Sequence, residues 1–99
     1  MTLELDIELY LCDAVKALGG EVRKVQWVGR RGAPDRLVML PREAYVDGAH
    51  CCLWVELKAP GEKAKPHQAR EHERMRKMGQ HVEVIDSFEG VDELLGIAP

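Results

Sequence analysis

Aromatic residues are scarce in this chain, since only five of its 99 residues are Trp, Tyr or Phe. Aliphatic side chains must therefore fill most of the core, and a chain of this length supports one domain rather than two. We accordingly assign residues 1–99 to one domain. No apolar run approaches the roughly 20 residues that span a bilayer, so we expect no membrane partner.

A basic beginning is also missing. Residues 1–13 carry four acidic residues and no lysine or arginine. A secretory signal needs a basic start followed by a continuous apolar stretch, so we expect a cytoplasmic protein, in the host cytoplasm if a phage encodes it.

Cysteines are few and odd in number: Cys12, Cys51 and Cys52. An odd count argues against a disulfide framework. The neighbouring His50 raises the question of zinc, but the spacing matches no zinc template and offers no fourth ligand. The adjacent cysteines are therefore predicted to be buried thiols on a strand.

The net charge of −3 does not by itself indicate nucleic acid, but the charges are segregated along the chain. Basic residues dominate the segments 23–36 and 63–77, whereas acids collect in the segments 4–13 and 83–93. Such a surface can attract phosphate locally, although ordinary solvated charge would give the same pattern.

The apolar pattern predicts an α/β domain. Helical spacing runs from Leu3 to Leu18 and ends at Gly19-Gly20, and Asp47-Gly48 predicts a turn. Ser87 is a predicted N-cap. The order helix, three strands, helix, strand, helix predicts one central sheet flanked by helices. The further elements are strands over 21–28, 35–40, 51–58 and 82–85, and helices over 67–78 and 88–95.

The third predicted strand carries charge at its end. Because side chains alternate across a strand, Glu56 and Lys58 share one face, while Leu53, Val55 and Leu57 share the other. Burying such charges is costly unless something compensates, although a surface ion pair on an edge strand is the simpler alternative.

Asp35 begins the preceding strand, directly after Pro34. If these two strands pair antiparallel, Asp35 converges on Glu56 and Lys58. Two adjacent carboxylates favour a cation, and oxygen ligands favour a hard ion, Mg²⁺ or Mn²⁺, over zinc.

These residues resemble a known nuclease signature. Pro34-Asp35 followed by Glu56-Leu57-Lys58 matches the PD-(D/E)xK pattern. The wider context, formed by residues 32–36, residues 55–61, Gln68 and the helix running to Gly79, resembles the VRR-NUC family over nearly the whole chain, in its short stand-alone phage and bacterial form. The resemblance implies a restriction-endonuclease-like αβββαβ core with a mixed sheet.

The resemblance also implies roles for individual residues. Asp35 and Glu56 would bind the metal, the backbone carbonyl of Leu57 would be a further ligand, and Lys58 would orient the attacking water. Many family relatives add a glutamate from the first helix. Glu8, eleven residues before Gly19, is our candidate.

Three further assignments stay open. Glu4 is the rival to Glu8, and either can be a solvated helix charge. Gln68 matches a family glutamine that supports the lysine or contacts phosphate. His72 shares the face of Gln68 and Met75 and is either a hydrogen-bonded core histidine or a catalytic one.

The implied activity is metal-dependent hydrolysis of DNA, with structure rather than base sequence recognised. We expect a structure-selective endonuclease for four-way junctions, working as a homodimer through an apolar strip at Leu5, Leu9 and Cys12. The alternatives are a nuclease for flap, nicked or single-stranded DNA, a non-catalytic DNA-binding module, and a pure interaction protein. The predicted phosphate contacts are Arg30, Arg31, Arg36, Lys63 and Lys65.

Overall fold

The computed structural model describes residues 1–44 and 52–97. The predicted order of helices and strands is confirmed, while the predicted Asp47-Gly48 turn, His50 and Cys51 lie outside the described residues. The elements are α1 (Glu4–Ala17), β1 (Glu21–Lys24), β2 (Arg36–Met39), a short 3₁₀ helix (Arg42–Ala44), β3 (Cys52–Leu57), α2 (Pro66–Lys77), β4 (Val82–Ile85) and α3 (Phe88–Leu95).

The four strands form one mixed sheet in the order β1-β2-β3-β4. The pairs β1–β2 and β2–β3 are antiparallel, and β3–β4 is parallel. Parallel neighbours need a crossover connection, which α2 supplies. The antiparallel β2–β3 pair, as predicted, brings the beginning of β2 beside the end of β3.

The two faces of the sheet are covered by different helices. One face of β3 presents Leu53, Val55 and Leu57 to the buried apolar core, which also receives Ile7, Leu11 and Val15 of α1 and buried residues of α3. The opposite face presents Trp54 and Glu56, and α2 lies against it through His72, whose ring is close to Glu56. None of the helices in the described parts of the chain is long and apolar enough to cross a membrane.

Strand β1 is shorter than the sequence predicted, since it ends at Lys24 rather than Val28. Pairing continues for one residue, where the Val25 N–H donates to the Asp35 carbonyl at 2.9 Å. The chain then leaves the ladder, and the Trp27 indole donates to the Pro34 carbonyl at 2.8 Å. Beyond the strand, Trp27 packs on Trp54 from the loop. Trp27 is therefore packed without belonging to a strand.

The prediction of buried thiols on the third strand is wrong for Cys52, which is exposed at the beginning of β3. The apolar run in the sequence did not reveal where the strand enters the core. Burial begins one residue later, at Leu53.

The loop between β1 and β2 is fixed against the first turns of α2. Arg30 donates two hydrogen bonds to the Glu71 carboxylate, at 2.9 and 2.7 Å. The side chain of Glu71 is only 5% exposed, and its hydrogen bonds from Arg30 outweigh its burial and lower its pKa to about 2. Gly32 approaches α2 so closely that a Cβ at this position would lie 2.9 Å from the His67 carbonyl oxygen.

We predict that Gly32→Ala destabilises the fold more than Gly29→Ala. Both glycines have positive φ, 86° and 73°, so alanine strains the backbone by about 1 kcal/mol at either position. Only Gly32 faces a backbone carbonyl, which adds roughly 1–3 kcal/mol of overpacking, whereas a Cβ at Gly29 meets open space. Urea unfolding of the two variants measures the difference, and equal losses would contradict the close docking of the loop on α2.

Candidate active site

Asp35 and Glu56 lie opposite each other across the β2–β3 pair. Arg36 is the partner of Val55 in the antiparallel register, so continuing by one residue sets Asp35 against Glu56. Directly opposed residues of antiparallel strands have Cα atoms about 4.5–5.5 Å apart. The predicted convergence of the two carboxylates therefore agrees with the strand register.

Glu56 is the more deeply placed of the two acids, with 13% of its side chain exposed against 48% for Asp35. Burial is the main cause that raises the pKa of Glu56 to about 7, and the negative charge of Asp35 raises it further. The Lys58 ammonium acts in the opposite direction. The site therefore holds a carboxyl group that ionises reluctantly without a compensating cation.

Lys58 follows β3 directly and is only 9% exposed. Its backbone N–H donates to the Ile85 carbonyl of β4 at 2.9 Å, which anchors this end of the strand. Within residues 1–44 and 52–97, no carboxylate lies within 4.0 Å of the Lys58 ammonium to form an ion pair. A nearly buried ammonium beside Glu56 remains available to a reacting group.

His72 of α2 lies beside Glu56, beneath the site. Its ring is 1% exposed, and its Nε2 atom lies 3.6 Å from Oε1 of Glu56. Burial is the main cause that lowers the pKa of His72, which favours the neutral imidazole. Nε2 has no hydrogen-bond partner among the described residues, so this buried nitrogen faces the carboxyl group unsatisfied.

The carbonyl of Leu57 faces an unusual neighbour. In the continued register, Leu57 lies opposite Pro34, which has no N–H to donate. Proline at this position cannot donate a backbone hydrogen bond to the Leu57 carbonyl.

The two candidate glutamates of α1 differ in their surroundings. Oε1 of Glu8 forms an ion pair with Arg36 at 3.1 Å, and Arg36 also pairs with Asp35 at 3.0 Å. Glu4, one turn earlier, is among the charges that raise the pKa of Glu56. Glu8 is therefore linked to the site through Arg36, whereas Glu4 acts on Glu56 through its field.

The donor set suits a hard cation with few protein ligands. No group of three His, Cys, Asp or Glu side chains converges closely enough to bind a metal within the described residues. Two carboxylates and one backbone carbonyl nonetheless agree with Mg²⁺, which keeps several waters and takes one or two protein carboxylates. A cation bound there would lower the pKa of Glu56, which burial and the charge of Asp35 raise.

Gln68 has a structural task at the beginning of α2. Its Oε1 atom accepts a hydrogen bond from the Lys65 N–H at 2.9 Å, which is one half of a capping box. The carbonyl oxygen of this amide is thus engaged in fixing the helix end. This hydrogen bond lies within the beginning of α2, whereas the resemblance implies that Gln68 supports the lysine or contacts phosphate.

The predicted phosphate contacts fall into two groups. Arg30 is bound to Glu71 and Arg36 to Glu8 and Asp35, so both arginines stabilise the fold around the site. Lys63 is exposed beside α2, while Arg31 and Lys65 lie near His67. Sequence reasoning missed Arg70, a further cation near His67, which helical spacing of three residues from His67 could have suggested.

We predict that Glu56→Gln stabilises the metal-free protein at pH 8. The folded pKa of about 7 is above the ordinary value of 4.5, so ionisation of Glu56 opposes folding progressively as the pH rises through this range. The full penalty, on the order of 3 kcal/mol, is reached above pH 7 and vanishes below about pH 4.5.

Urea unfolding of wild type and variant in EDTA at pH 5 and pH 8 measures this effect. The advantage of Glu56→Gln should shrink strongly at the lower pH. Glu62→Gln, at an exposed position, controls for the loss of one negative charge. If the two proteins differ in free energy of unfolding by the same amount at both pH values, the pKa of Glu56 is not raised in the folded protein.

Comparison with known proteins agrees with this geometry. No protein-family model matches the chain. A solved structure described as "VRR_NUC domain" is 44% identical, with a TM-score of 0.79 and coverage of 97% of each chain. A protein of Acyrthosiphon pisum secondary endosymbiont phage 1, named "Putative nuclease p44", is 45% identical over 84 residues, which is 85% of this chain and 83% of that protein. The chain therefore belongs to the VRR-NUC family of nucleases.

Proposed function

We propose that this nuclease is a divalent-metal-dependent endonuclease that hydrolyses phosphodiester bonds in branched DNA, with four-way junctions as its preferred substrate. The observation that carries the catalytic part is the opposition of Asp35 and Glu56 across β2 and β3, with Lys58 on the same face. Mg²⁺ is the proposed cofactor and Mn²⁺ its substitute.

In this proposal, Asp35 and Glu56 hold the cation together with the Leu57 carbonyl. When bound, the cation polarises the phosphate and lowers the pKa of a water molecule. Lys58 orients the attacking water and balances the negative charge that develops on the phosphate. Water forms a new bond to phosphorus and releases a proton to solvent, the bond to the 3′ oxygen breaks, and that oxygen takes up a proton from solvent.

The helix α1 supplies one more acid in this scheme. Glu8 remains our candidate ligand, but its ion pair with Arg36 would have to open first. Glu4 is the rival candidate, because its negative charge is among the causes that raise the pKa of Glu56. If Glu4 is the metal ligand, Glu8 orients Arg36, and Arg36 in turn orients Asp35.

The substrate preference rests on symmetry and on the surface of α1. Resolving a four-way junction requires two symmetric cuts, which a two-fold dimer with one site per subunit supplies. Leu5 and Leu9 are 57% and 55% exposed on α1, beside the partly exposed Cys12, and together they offer an apolar strip for a second copy.

A monomer acting on flap, nicked or single-stranded DNA is the second candidate, and its site chemistry would be the same. A non-catalytic DNA-binding module is disfavoured by the cost of the site. A nearly buried lysine beside a carboxyl group with a pKa of about 7 lowers stability, and a protein that only binds DNA would gain no function from that cost.

We place the activity in the cytoplasm.

We predict that Asp35→Asn and Lys58→Ala separate metal binding from chemistry. Asp35→Asn should lose most of its Mn²⁺ affinity and its cleavage, because one of two carboxylates is neutralised. Lys58→Ala should keep Mn²⁺ and DNA binding but lose cleavage by more than tenfold, a barrier change above about 1.4 kcal/mol. Calorimetric titration of Mn²⁺ and cleavage of a labelled junction measure the two properties.

Asp13→Asn on the exposed side of α1 is the matched control and should behave as wild type. Equal Mn²⁺ affinity in wild type and Asp35→Asn would remove Asp35 from the site. Cleavage by Lys58→Ala within tenfold of wild type would remove the lysine from the chemistry.

We predict that Leu5→Asp and Leu9→Asp break a dimer that wild type forms at micromolar concentration. A charge in the centre of an apolar interface is costly to desolvate. Light scattering measures the mass, and Met78→Asp, at a residue 72% exposed elsewhere, is the control that should remain dimeric. A wild-type monomer, both free and on junction DNA, would favour the flap or nicking alternative.

A further inference from the structure

The arginines of this protein divide sharply by whether an acid neutralises them. Five of them form ion pairs with carboxylates: Arg23, Arg30, Arg36, Arg74 and Arg76. Among the described residues, Arg31, Arg42 and Arg70 have no carboxylate within 4.0 Å. Arg42 lies in the 3₁₀ helix after β2, at the end of the sheet away from Glu56.

Arg31 and Arg70, in contrast, both lie near His67, where the loop docks on α2. Gly32 lies against the His67 carbonyl, so its neighbour Arg31 is held at the first turn of α2. Arg70 follows His67 by three residues and therefore shares its side of the helix. Lys65 is the N-cap residue of the same helix.

A second observation agrees with this placement. Burial is the main cause that lowers the pKa of His67, and the positive charges of Arg31, Lys65, Arg70 and Lys58 lower it further. The same histidine thus experiences the field of three surface cations and of the active-site lysine.

An uncompensated group of cations is costly, because like charges at short range repel each other. The neighbouring turn of α2 provides the contrast: Arg30 and Arg74 approach each other only because Glu71 lies between them at 2.7 Å from each. No such acid accompanies Arg31, Lys65 and Arg70 among the residues described. An anion from outside the chain would remove this repulsion.

We propose that Arg31, Lys65 and Arg70 bind a backbone phosphate of the DNA, next to the phosphodiester that is cleaved. The arginine fork matches phosphate oxygens in two hydrogen bonds, and lysine adds a mobile charge. Gly32, which docks on the His67 carbonyl, precedes Asp35 by three residues, so the phosphate site lies on the loop that leads into the active site. Arg30 and Arg36 then serve the fold and contribute little direct affinity. The inference rests on the proposed nuclease function.

The test is DNA binding as a function of salt, without cleavage. Fluorescence anisotropy of a labelled four-way junction and a matched duplex would be measured in EDTA between about 50 and 200 mM KCl. Arg31→Ala and Arg70→Ala should each bind about tenfold more weakly at the lowest salt and reduce the slope of log K against log salt by about 1. Arg31→Lys and Arg70→Lys, which keep the charge, should retain the wild-type slope.

Arg42→Ala is the matched control, because it removes an exposed and equally unpaired arginine at the far end of the sheet. It should bind and cleave as wild type does, and thermal melting confirms that each variant is folded. A wild-type slope in both Arg31→Ala and Arg70→Ala, or an equal loss in Arg42→Ala, would overturn the phosphate site while leaving a cleaving enzyme intact. A wild-type protein that neither binds nor cuts DNA would instead overturn the proposed function.

Discussion

The register of β3 against β2 sets Asp35 opposite Glu56, and the site is built around this pair. Strand β3 is fully apolar on its core face, and that face fixes the strand in register with β2. The fixed register brings the two carboxylates together, and burial of Glu56, followed by the charge of Asp35, raises the pKa of Glu56 to about 7. A cation bound between the two carboxylates, as proposed above, would offset the cost of ionising Glu56.

Helix α2 converts this local arrangement into a shaped site. It contributes His72 behind Glu56, the Glu71 carboxylate that holds Arg30, and the backbone surface against which Gly32 docks. One helix therefore closes the floor, fixes the loop that leads into Asp35 and carries part of the exposed positive charge. The neutral histidine and the paired arginine keep the interior of the site from acquiring further net charge.

The sequence was sufficient for the order of the elements and for the family, while Asp35, Glu56 and Lys58 stay predicted site residues. Alternation along residues 53–58 predicted that Glu56 and Lys58 share a face. The predicted strand began at Asp35, directly after Pro34, whereas β2 begins one residue later, at Arg36. The environments of other residues could not be predicted, because they depend on which tertiary partner each side chain reaches. The pairing of Glu8 with Arg36 and the approach of His72 to Glu56 both join segments far apart in sequence.

The most direct test of the account is anomalous diffraction from crystals of the protein soaked in Mn²⁺. We expect a manganese peak bound by the carboxylates of Asp35 and Glu56 and by the Leu57 carbonyl, with Lys58 beside it. Crystals in which Mn²⁺ is absent from this position, or in which it binds only elsewhere, would contradict the assignment of these residues as the metal site of the nuclease.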